Sequence, residues 1–313
     1  MTKPLVVVES PTKVRTIKKY LGKDYNVAAT VGHIKDLPNK EMGIDIENGF
    51  KPKYKNIPGK QKIIKTLKQA AGDAADIYLA PDPDREGEAI AWHTAEVLQK
   101  KGRKFYRVLF HELTKDAIHR AMDSPESLDR PKYEAQQARR ILDRLVGYQI
   151  SPLLWRKVKG GLSAGRVQSV ALRIVCERER AIHAFESREY WSVTAHLEGD
   201  SPPPFTAKLT KKNNDKIEIP NEEKAKAILA DLEDEKFVVE KIVKKTTRKN
   251  PLPPFTTSKL QQDAIRKLRF SAKKTMLIAQ QLYEGIELGP GEPVGLITYM
   301  RTDSTRIAKE AAD

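Results

Sequence analysis

The chain has 313 residues, enough for roughly two domains, and its 39% hydrophobic content is enough to form apolar cores. Its 57 Lys and Arg residues against 42 Asp and Glu residues give a formal net charge of +15, which favours a polyanionic partner over an inert basic surface. The single cysteine, Cys176, excludes an intramolecular disulfide and a cysteine-based zinc site within these residues. No apolar run reaches the ~18 residues of a membrane span, and the N-terminus lacks the apolar stretch of a signal peptide. We therefore expect a cytoplasmic protein with no membrane partner.

Strands and helices alternate from Leu5 to about Met122. The predicted strands are residues 5–8, 25–31, 77–80 and 105–110, and apolar residues at helical spacing predict the helices between them. This alternation is typical of an open, largely parallel α/β sheet. Ligand sites in such sheets lie off the carboxyl ends of the strands, which is where Glu9 and Asp82 fall.

Acidic side chains crowd those two strand ends. Glu9 follows the first strand, and Asp82, Asp84, Glu86 and Glu88 follow the strand at 77–80. Because Asp82 and Asp84 are two residues apart in an extended segment, their side chains point the same way, with Glu86 one step further along. Mg²⁺ prefers a few carboxylates together with waters and phosphate oxygens. These acids therefore predict a Mg²⁺ site beside a phosphate, and hence phosphodiester chemistry.

A helix N-terminus decorated with acids is the alternative interpretation, because the residues from Ile90 onward have a helical pattern. That alternative would account for Glu86 or Glu88. It hardly accounts for Asp82 and Asp84 on either side of a proline.

Two further positions carry candidate chemistry. Lys13 stands four residues after Glu9 at the start of the first predicted helix, where its ammonium could lie beside a bound phosphate; an ordinary exposed lysine is the alternative. Tyr299 and Arg301 would share one face of a strand predicted at 294–299, so that a phenol oxygen and a guanidinium could converge on one phosphate. A tyrosine with a pKa of about 10 is a weak nucleophile at neutral pH and needs nearby cations. A half-buried core tyrosine is the alternative here.

The second half of the chain changes character. Residues 134–180 have a helical pattern dense in arginine, and a turn at 162–169 leads into a helix, where backbone N–H groups and arginines can meet phosphates or simply face solvent. The elements predicted beyond it are β-connector strands at 190–197, 205–209 and 237–244, a proline-rich break at 248–255, helices at 260–268 and 276–283, and a Gly/Pro loop at 288–293.

Motifs in the same order along the chain resemble those of the bacterial type IA DNA topoisomerases. The matching segments are residues 8–13, 32–38, 82–93, 136–147, 162–169, 254–258 and 297–305. The resemblance implies a Toprim α/β domain with a mostly parallel sheet, a helical DNA-groove domain, a β connector and a partial helical gate domain. The expected boundaries are 1–128 for the Toprim domain, 129–188 for the single-strand groove, 189–254 for the β-rich arch or connector and 255–313 for the gate domain.

The resemblance also implies roles for individual residues. Tyr299 matches the nucleophile that becomes linked to the 5′ phosphate of a cut single strand, and Arg301 matches its charge-stabilising neighbour. Glu9 matches an acid that handles a proton at the 3′ hydroxyl, and Lys13 matches a lysine that touches the scissile phosphate. The residues matching Mg²⁺ ligands are Asp82, Asp84 and Glu86, with Glu9 as a further candidate. The residues matching DNA contacts are His33, Arg85, Arg139, Asp143, Arg166 and Gln168.

The activity implied by the resemblance is ATP-independent relaxation of negatively supercoiled DNA. The implied mechanism is reversible single-strand transesterification through a 5′-phosphotyrosyl intermediate, with strand passage. The expected protein is a nucleoid-associated monomer. Family members continue well beyond the position of Asp313, so we expect a fragment that keeps part of the single-stranded DNA binding and lacks relaxation. Two alternatives remain. One is another Toprim enzyme, such as a nuclease or primase, and the other is a non-catalytic single-stranded DNA-binding module.

Overall fold

The computed structural model describes residues 3–200, 202–289 and 293–312. The chain forms two compact units, one made of residues 1–166 together with 251–313 and the other of residues 167–250. Within the described ranges, no helix combines the length and the apolar character that crossing a bilayer requires.

The first unit begins with alternating strands and helices. Its strands are β1 (Leu5–Val8), β2 (Asn26–Ala29), β3 (Lys35–Asp36), β4 (Ile44–Asp45), β5 (Lys51–Pro52), β6 (Lys55–Asn56), β7 (Asp76–Leu79) and β8 (Lys104–Arg107). Its helices in this part are α1 (Pro11–Leu21), α2 (Gln61–Ala71), α3 (Arg85–Leu98), α4 (Lys115–Asp123) and α5 (Arg130–Lys157). The short strands pair antiparallel as β3 with β6 and β4 with β5.

A four-stranded parallel sheet forms the centre of this unit, in the order β2, β1, β7, β8. All four side chains of β1 are buried, as expected for a central parallel strand covered on both faces. Ile17 of α1 and Ile118 of α4 belong to the core on one face, and Leu67 of α2 and Leu98 of α3 belong to the core on the other. The predicted parallel α/β sheet is confirmed.

The second unit has its own small core. Helix α6 (Arg166–His183) leads into it, and its further elements are β9 (Thr194–Leu197), β10 (Phe205–Lys208), β11 (Lys211–Lys212), β12 (Asp215–Lys216) and α7 (Glu222–Leu232). The strands form two antiparallel pairs, β9 with β10 and β11 with β12. Val193, Ile219, Ala225 and Ile228 make up the buried cluster. No residue of α6 belongs to this cluster, and most apolar side chains of the helix are exposed.

The chain then returns to the first unit through α8 (Thr257–Leu268), α9 (Ala272–Glu284) and α10 (Lys309–Ala312). A helix forms where one was predicted at 276–283, and Thr275, Ala279 and Tyr283 of α9 are buried while Leu277 is 60% exposed. The predicted Gly/Pro loop falls partly on residues 290–292, which lie outside the described residues.

Two predicted strands are wrong. Residues 294–299 form no strand, because their amides bond to single carbonyls in different places: Leu296 N donates to Leu282 O at 2.8 Å and Tyr299 N to His111 O at 2.7 Å. Residues 237–244 have no regular structure either, and Val238 is 83% exposed. The β-branched residues of this segment favour a strand, but no partner strand pairs with it in the described residues.

Helix α7 is the longest of the elements that the sequence did not predict, the others being α10 and the two-residue strands β3 to β6, β11 and β12. Asn221 caps it by accepting a hydrogen bond from Lys224 N at 3.0 Å, and Glu222 and Glu223 occupy its first turn. These capping residues are visible in the sequence. The prediction of a β connector, with strands separated by polar segments, overrode them.

Candidate active site

The acidic motif forms the connection between β7 and α3, which we call the acidic turn (residues 80–88). Asp84 is the N-cap of α3, since its side chain accepts a hydrogen bond from Gly87 N at 2.7 Å. Glu86 and Glu88 lie in the first helical turn, where carboxylates are favoured by the helix dipole. Asp84, Glu86 and Glu88 therefore serve the helix N-terminus, as the alternative interpretation holds, and the Mg²⁺ site stays a prediction.

Lys13 is a buried cation between two carboxylates. Its Nζ donates to Asp82 Oδ1 and lies 3.5 Å from Glu9 Oε1, and the residue is only 1% exposed. The alternative of an exposed helix lysine is therefore wrong. Burial is the main cause that raises the pKa of Glu9 to about 8, a hydrogen bond with Asp82 adds to the rise, and the charge of Lys13 opposes it. Near neutral pH, Glu9 is thus able to hold a proton.

Tyr299 reaches the acidic turn from the far end of the sequence. Its hydroxyl donates to Asp84 Oδ2 at 2.6 Å, and its ring packs edge-on against Tyr283 with 5.1 Å between ring centroids. Burial first, and then the negative charges of Asp84 and Asp82, raise the pKa of the phenol above its ordinary value. In this arrangement the phenol keeps its proton.

Arg301 approaches the same turn, although the strand that was expected to align it with Tyr299 does not exist. Its Nη2 donates to Pro83 O at 3.3 Å. An open cleft of about 620 Å³ lies here, and the side chains lining it include Asp84, Arg85, Gln136, Arg139, Tyr299 and Arg301. The cleft therefore combines a phenol, several cations and carboxylates on one surface.

A second cavity, of about 370 Å³, shares Glu86 as a lining residue with this cleft, and we call it the groove cavity. Its lining includes His33, Tyr54, His93, Gln136, Arg139 and Asp143. His33 Nε2 lies 3.2 Å from Glu86 Oε2, and this contact is the largest cause that lowers the pKa of the carboxyl. His93 Nδ1 and Gln136 Oε1 are buried without a hydrogen-bond partner in the described part of the chain. Such atoms are suited to accept or donate to a polar ligand.

The predicted DNA-contact residues divide between the two units. His33, Arg85, Arg139 and Asp143 line the cleft or the groove cavity. Arg166 joins them, because its Nε donates to Asp143 Oδ1 at 2.8 Å. Gln168 is exposed and belongs to the second unit.

The donor set of the acidic turn fits a hard divalent cation, because it supplies carboxylate oxygens beside an open cleft. Each carboxylate already has partners: Asp82 meets Lys13, Asp84 meets Tyr299, and Glu86 meets His33. Across residues 3–200, 202–289 and 293–312, no three acidic, His or Cys side chains are arranged to hold a metal together. A cation at this turn would therefore replace internal partners of Asp82 and Asp84.

Three residues of this region were missed as parts of the site: Arg107, Gln280 and Tyr283. Gln280 Nε2 donates to Asp82 Oδ2 at 3.2 Å, and Tyr283, 1% exposed, donates through its hydroxyl to Phe110 O at 2.6 Å. Helical spacing placed Gln280 and Tyr283 near one stripe of α9, but nothing local in the sequence says what that stripe packs against.

The comparisons with known proteins agree with this architecture. A sequence model of the DNA topoisomerase family matches residues 127–313, and a model of the Toprim domain matches residues 4–113. A solved structure of full-length topoisomerase I from Thermotoga maritima shares 45% sequence identity with this chain and superposes with a TM-score of 0.82. The match covers 98% of this chain and 50% of that one, so the chain spans about half the length of that protein. The chain therefore belongs to the bacterial type IA DNA topoisomerases.

Proposed function

We propose that this chain carries the strand-cleavage centre of a DNA topoisomerase, with Tyr299 as the nucleophile. The phenol oxygen attacks a backbone phosphorus of single-stranded DNA, a 5′-phosphotyrosyl bond forms, and the bond to the 3′ oxygen breaks. The observation that carries the proposal is the 2.6 Å contact between the Tyr299 hydroxyl and Asp84, which joins the nucleophile to the acidic turn across 215 residues of sequence. The reverse attack by the 3′ hydroxyl restores the strand.

The proton transfers fall to two carboxyl groups. Asp84 already accepts the hydrogen bond of the phenol and is the base nearest to its proton. Glu9, whose pKa is raised to about 8, is able to give a proton to the leaving 3′ oxygen and to take it back during resealing.

Two cations stabilise the negative charge that develops on the phosphate oxygens. Arg301 lies on the cleft and Lys13 lies beneath it, both in contact with the acidic turn. Mg²⁺ held by Asp82 and Asp84, with Glu86 or Glu9 nearby, would add positive charge beside the phosphate and weaken the repulsion that keeps the phenol protonated. One phosphodiester is exchanged for another of similar energy, so the reaction needs no ATP.

The single strand would lie along the cleft and the groove cavity, where His33, Arg85, Arg139, Asp143 and Arg166 offer polar and charged contacts. Gln168, which belongs to the second unit, is proposed separately as a further DNA contact. Phosphate contacts of this kind make binding strongly salt-dependent. For the whole protein we propose relaxation of negatively supercoiled DNA by a cytoplasmic, nucleoid-associated monomer, and for this chain alone we propose strand binding without efficient relaxation.

The test is adduct formation with single-stranded oligonucleotides labelled at one end and incubated with Mg²⁺ before denaturation. A 5′-phosphotyrosyl bond transfers a 3′ label to the protein and leaves a 5′ label on the released fragment. Tyr299→Phe abolishes the adduct, and Tyr106→Phe, at a half-buried tyrosine of the sheet, retains it. Cleavage without an adduct in both variants would indicate a nuclease, and binding without any cleavage would indicate a binding module.

A further inference from the structure

A buried ion pair joins Arg107 to Glu88, the last residue of the acidic turn, and takes no part in the chemistry proposed above. Arg107 ends β8 and Glu88 lies in the first turn of α3, and each is 1% exposed. Arg107 Nε donates to Glu88 Oε2 at 2.8 Å. Burying two charges is costly unless their geometry is good and their remaining hydrogen-bonding groups are satisfied. The partners of those remaining groups show what the pair is connected to.

The guanidinium binds the backbone of the acidic turn. Nη2 donates to Asp82 O at 2.7 Å, and Nη1 donates to Pro81 O at 2.9 Å and to Leu79 O at 3.1 Å. These carbonyls follow the chain from the end of β7 into the turn. Arg107 therefore fixes the segment of backbone from which the Asp82 side chain projects.

Glu88 connects the same turn to the groove helix α5. Its Oε1 accepts a hydrogen bond from Asp129 N at 2.8 Å, and Asp129 caps α5 by accepting from Lys132 N at 2.9 Å. Further along α5, Gln136 and Arg139 line both the cleft and the groove cavity. The ion pair is thus a side-chain link between the backbone of the acidic turn and the start of the helix α5 that lines the groove cavity.

We infer that Arg107 and Glu88 are positioning residues that hold the acidic turn and the start of α5 in a fixed position relative to each other. The inference rests on the proposed function, in which carboxylates and groove act on the same strand. A pair that served stability alone would be replaceable by apolar residues of similar volume without further loss. A positioning pair is not replaceable in this way, because apolar side chains do not bind the carbonyls of Pro81 and Asp82.

The decisive variant replaces both charges, Arg107→Met with Glu88→Met, so that neither is left buried and unpaired. Arg103→Met is the matched control. Arg103 also binds backbone carbonyls, donating to Ala74 O at 3.1 Å and Gly72 O at 2.7 Å, but it precedes β8, at the opposite end of the strand from the acidic turn. The readouts are Mn²⁺ binding to the DNA-free protein by electron paramagnetic resonance, amide hydrogen exchange of residues 80–88, and oligonucleotide adduct formation.

The double variant is expected to keep a cooperative thermal transition close to wild type while its Mn²⁺ affinity falls about 10- to 100-fold, as for other groups that orient metal-binding residues. Exchange at residues 80–88 accelerates and adduct formation falls. Arg103→Met lowers thermal stability and leaves Mn²⁺ affinity unchanged. A folded double variant with wild-type Mn²⁺ affinity and wild-type exchange in the turn overturns the inference.

A second variant decides the matter if the double variant does not fold. Arg107→Lys keeps a positive charge for Glu88 but has one ammonium in place of the guanidinium fork, so it loses most carbonyl contacts. The same loss of Mn²⁺ affinity and of protection in the turn is expected, and wild-type values of both overturn the inference. If wild type forms no adduct while protection of the turn still depends on Arg107, the proposed function fails and the positioning role stands.

Discussion

Replacing Gly87 by alanine tests whether the acidic turn tolerates displacement. Gly87 lies in the first turn of α3, and a Cβ added to it would stand 2.0 Å from Asp82 O and 2.9 Å from Asp82 C and N. Contacts below 3.0 Å essentially do not occur for real Cβ atoms, so these groups must separate by about 1 Å or more. The atoms that have to move are backbone atoms of the turn, and no side-chain rotation relieves the clash.

Two consequences of different size follow from this displacement. Overpacking of this kind costs about 1–3 kcal/mol of unfolding free energy. A shift of ~1 Å at a catalytic centre lowers the rate of the chemical step by roughly 100-fold. We therefore expect Gly87→Ala to remain folded, with a modest loss of stability and a large loss of adduct formation.

Urea denaturation measures the first effect, and single-turnover adduct formation with a labelled oligonucleotide measures the second. Gly160→Ala is the control, because an added Cβ at Gly160 meets no atom within 4 Å. It should match wild type in both assays. If Gly87→Ala also formed the adduct at the wild-type rate, the geometry of the acidic turn would not govern the chemistry.

Two further predictions concern buried side chains next to the site. Burial lowers the pKa of His93 from 6.5 to about 4. Between these pH values the imidazole binds a proton in the unfolded chain but not in the folded one. His93 therefore makes the unfolding free energy rise by about 3 kcal/mol from pH 4 to pH 6.5 and level off above that. When the unfolding free energy from urea denaturation is plotted against pH over this range, wild type should rise more steeply than His93→Phe. Equal rises in the two proteins would contradict the lowered pKa of His93. Tyr283→Phe leaves Phe110 O without its donor and should lower unfolding free energy by about 1–2 kcal/mol, whereas an unchanged urea midpoint would show that the bond contributes nothing.

The parts of this site that local patterns encode were predictable. The apolar run Leu5–Val8 predicted a buried parallel strand, and this strand pairs with β7 as a central member of the sheet. Because ligands lie at the carboxyl ends of parallel strands, Glu9 and Asp82 were expected at one edge, where Asp82 N donates to Glu9 Oε2 at 3.4 Å. Helix capping involves residues only a few positions apart, so the start of α3 at the acidic motif was also predictable from the sequence.

What was not predictable depends on contacts between distant segments. The sequence placed Tyr299 on a predicted strand, and this strand does not form. The backbone amides there donate to His111 O and Leu282 O and not to a neighbouring strand. Arg107 was one residue of a predicted strand, with nothing in its neighbours to say that it would be buried against Glu88. Charged residues inside a core become visible only when tertiary packing brings their partners together.

The carboxylates of the acidic turn are all engaged by donors from the chain itself: Asp82 by Lys13 and Gln280, and Asp84 by the Tyr299 phenol. An incoming strand or cation must therefore compete with these groups. Its apparent binding free energy is the difference between the contacts that the carboxylates make with the ligand and those that they make with the internal donors. Weakening the contact of Gln280 with Asp82 would tighten ligand binding, even though Gln280 has no place in the proposed chemistry. Substitutions at Gln280 on α9 would therefore change how readily a ligand gains access to Asp82.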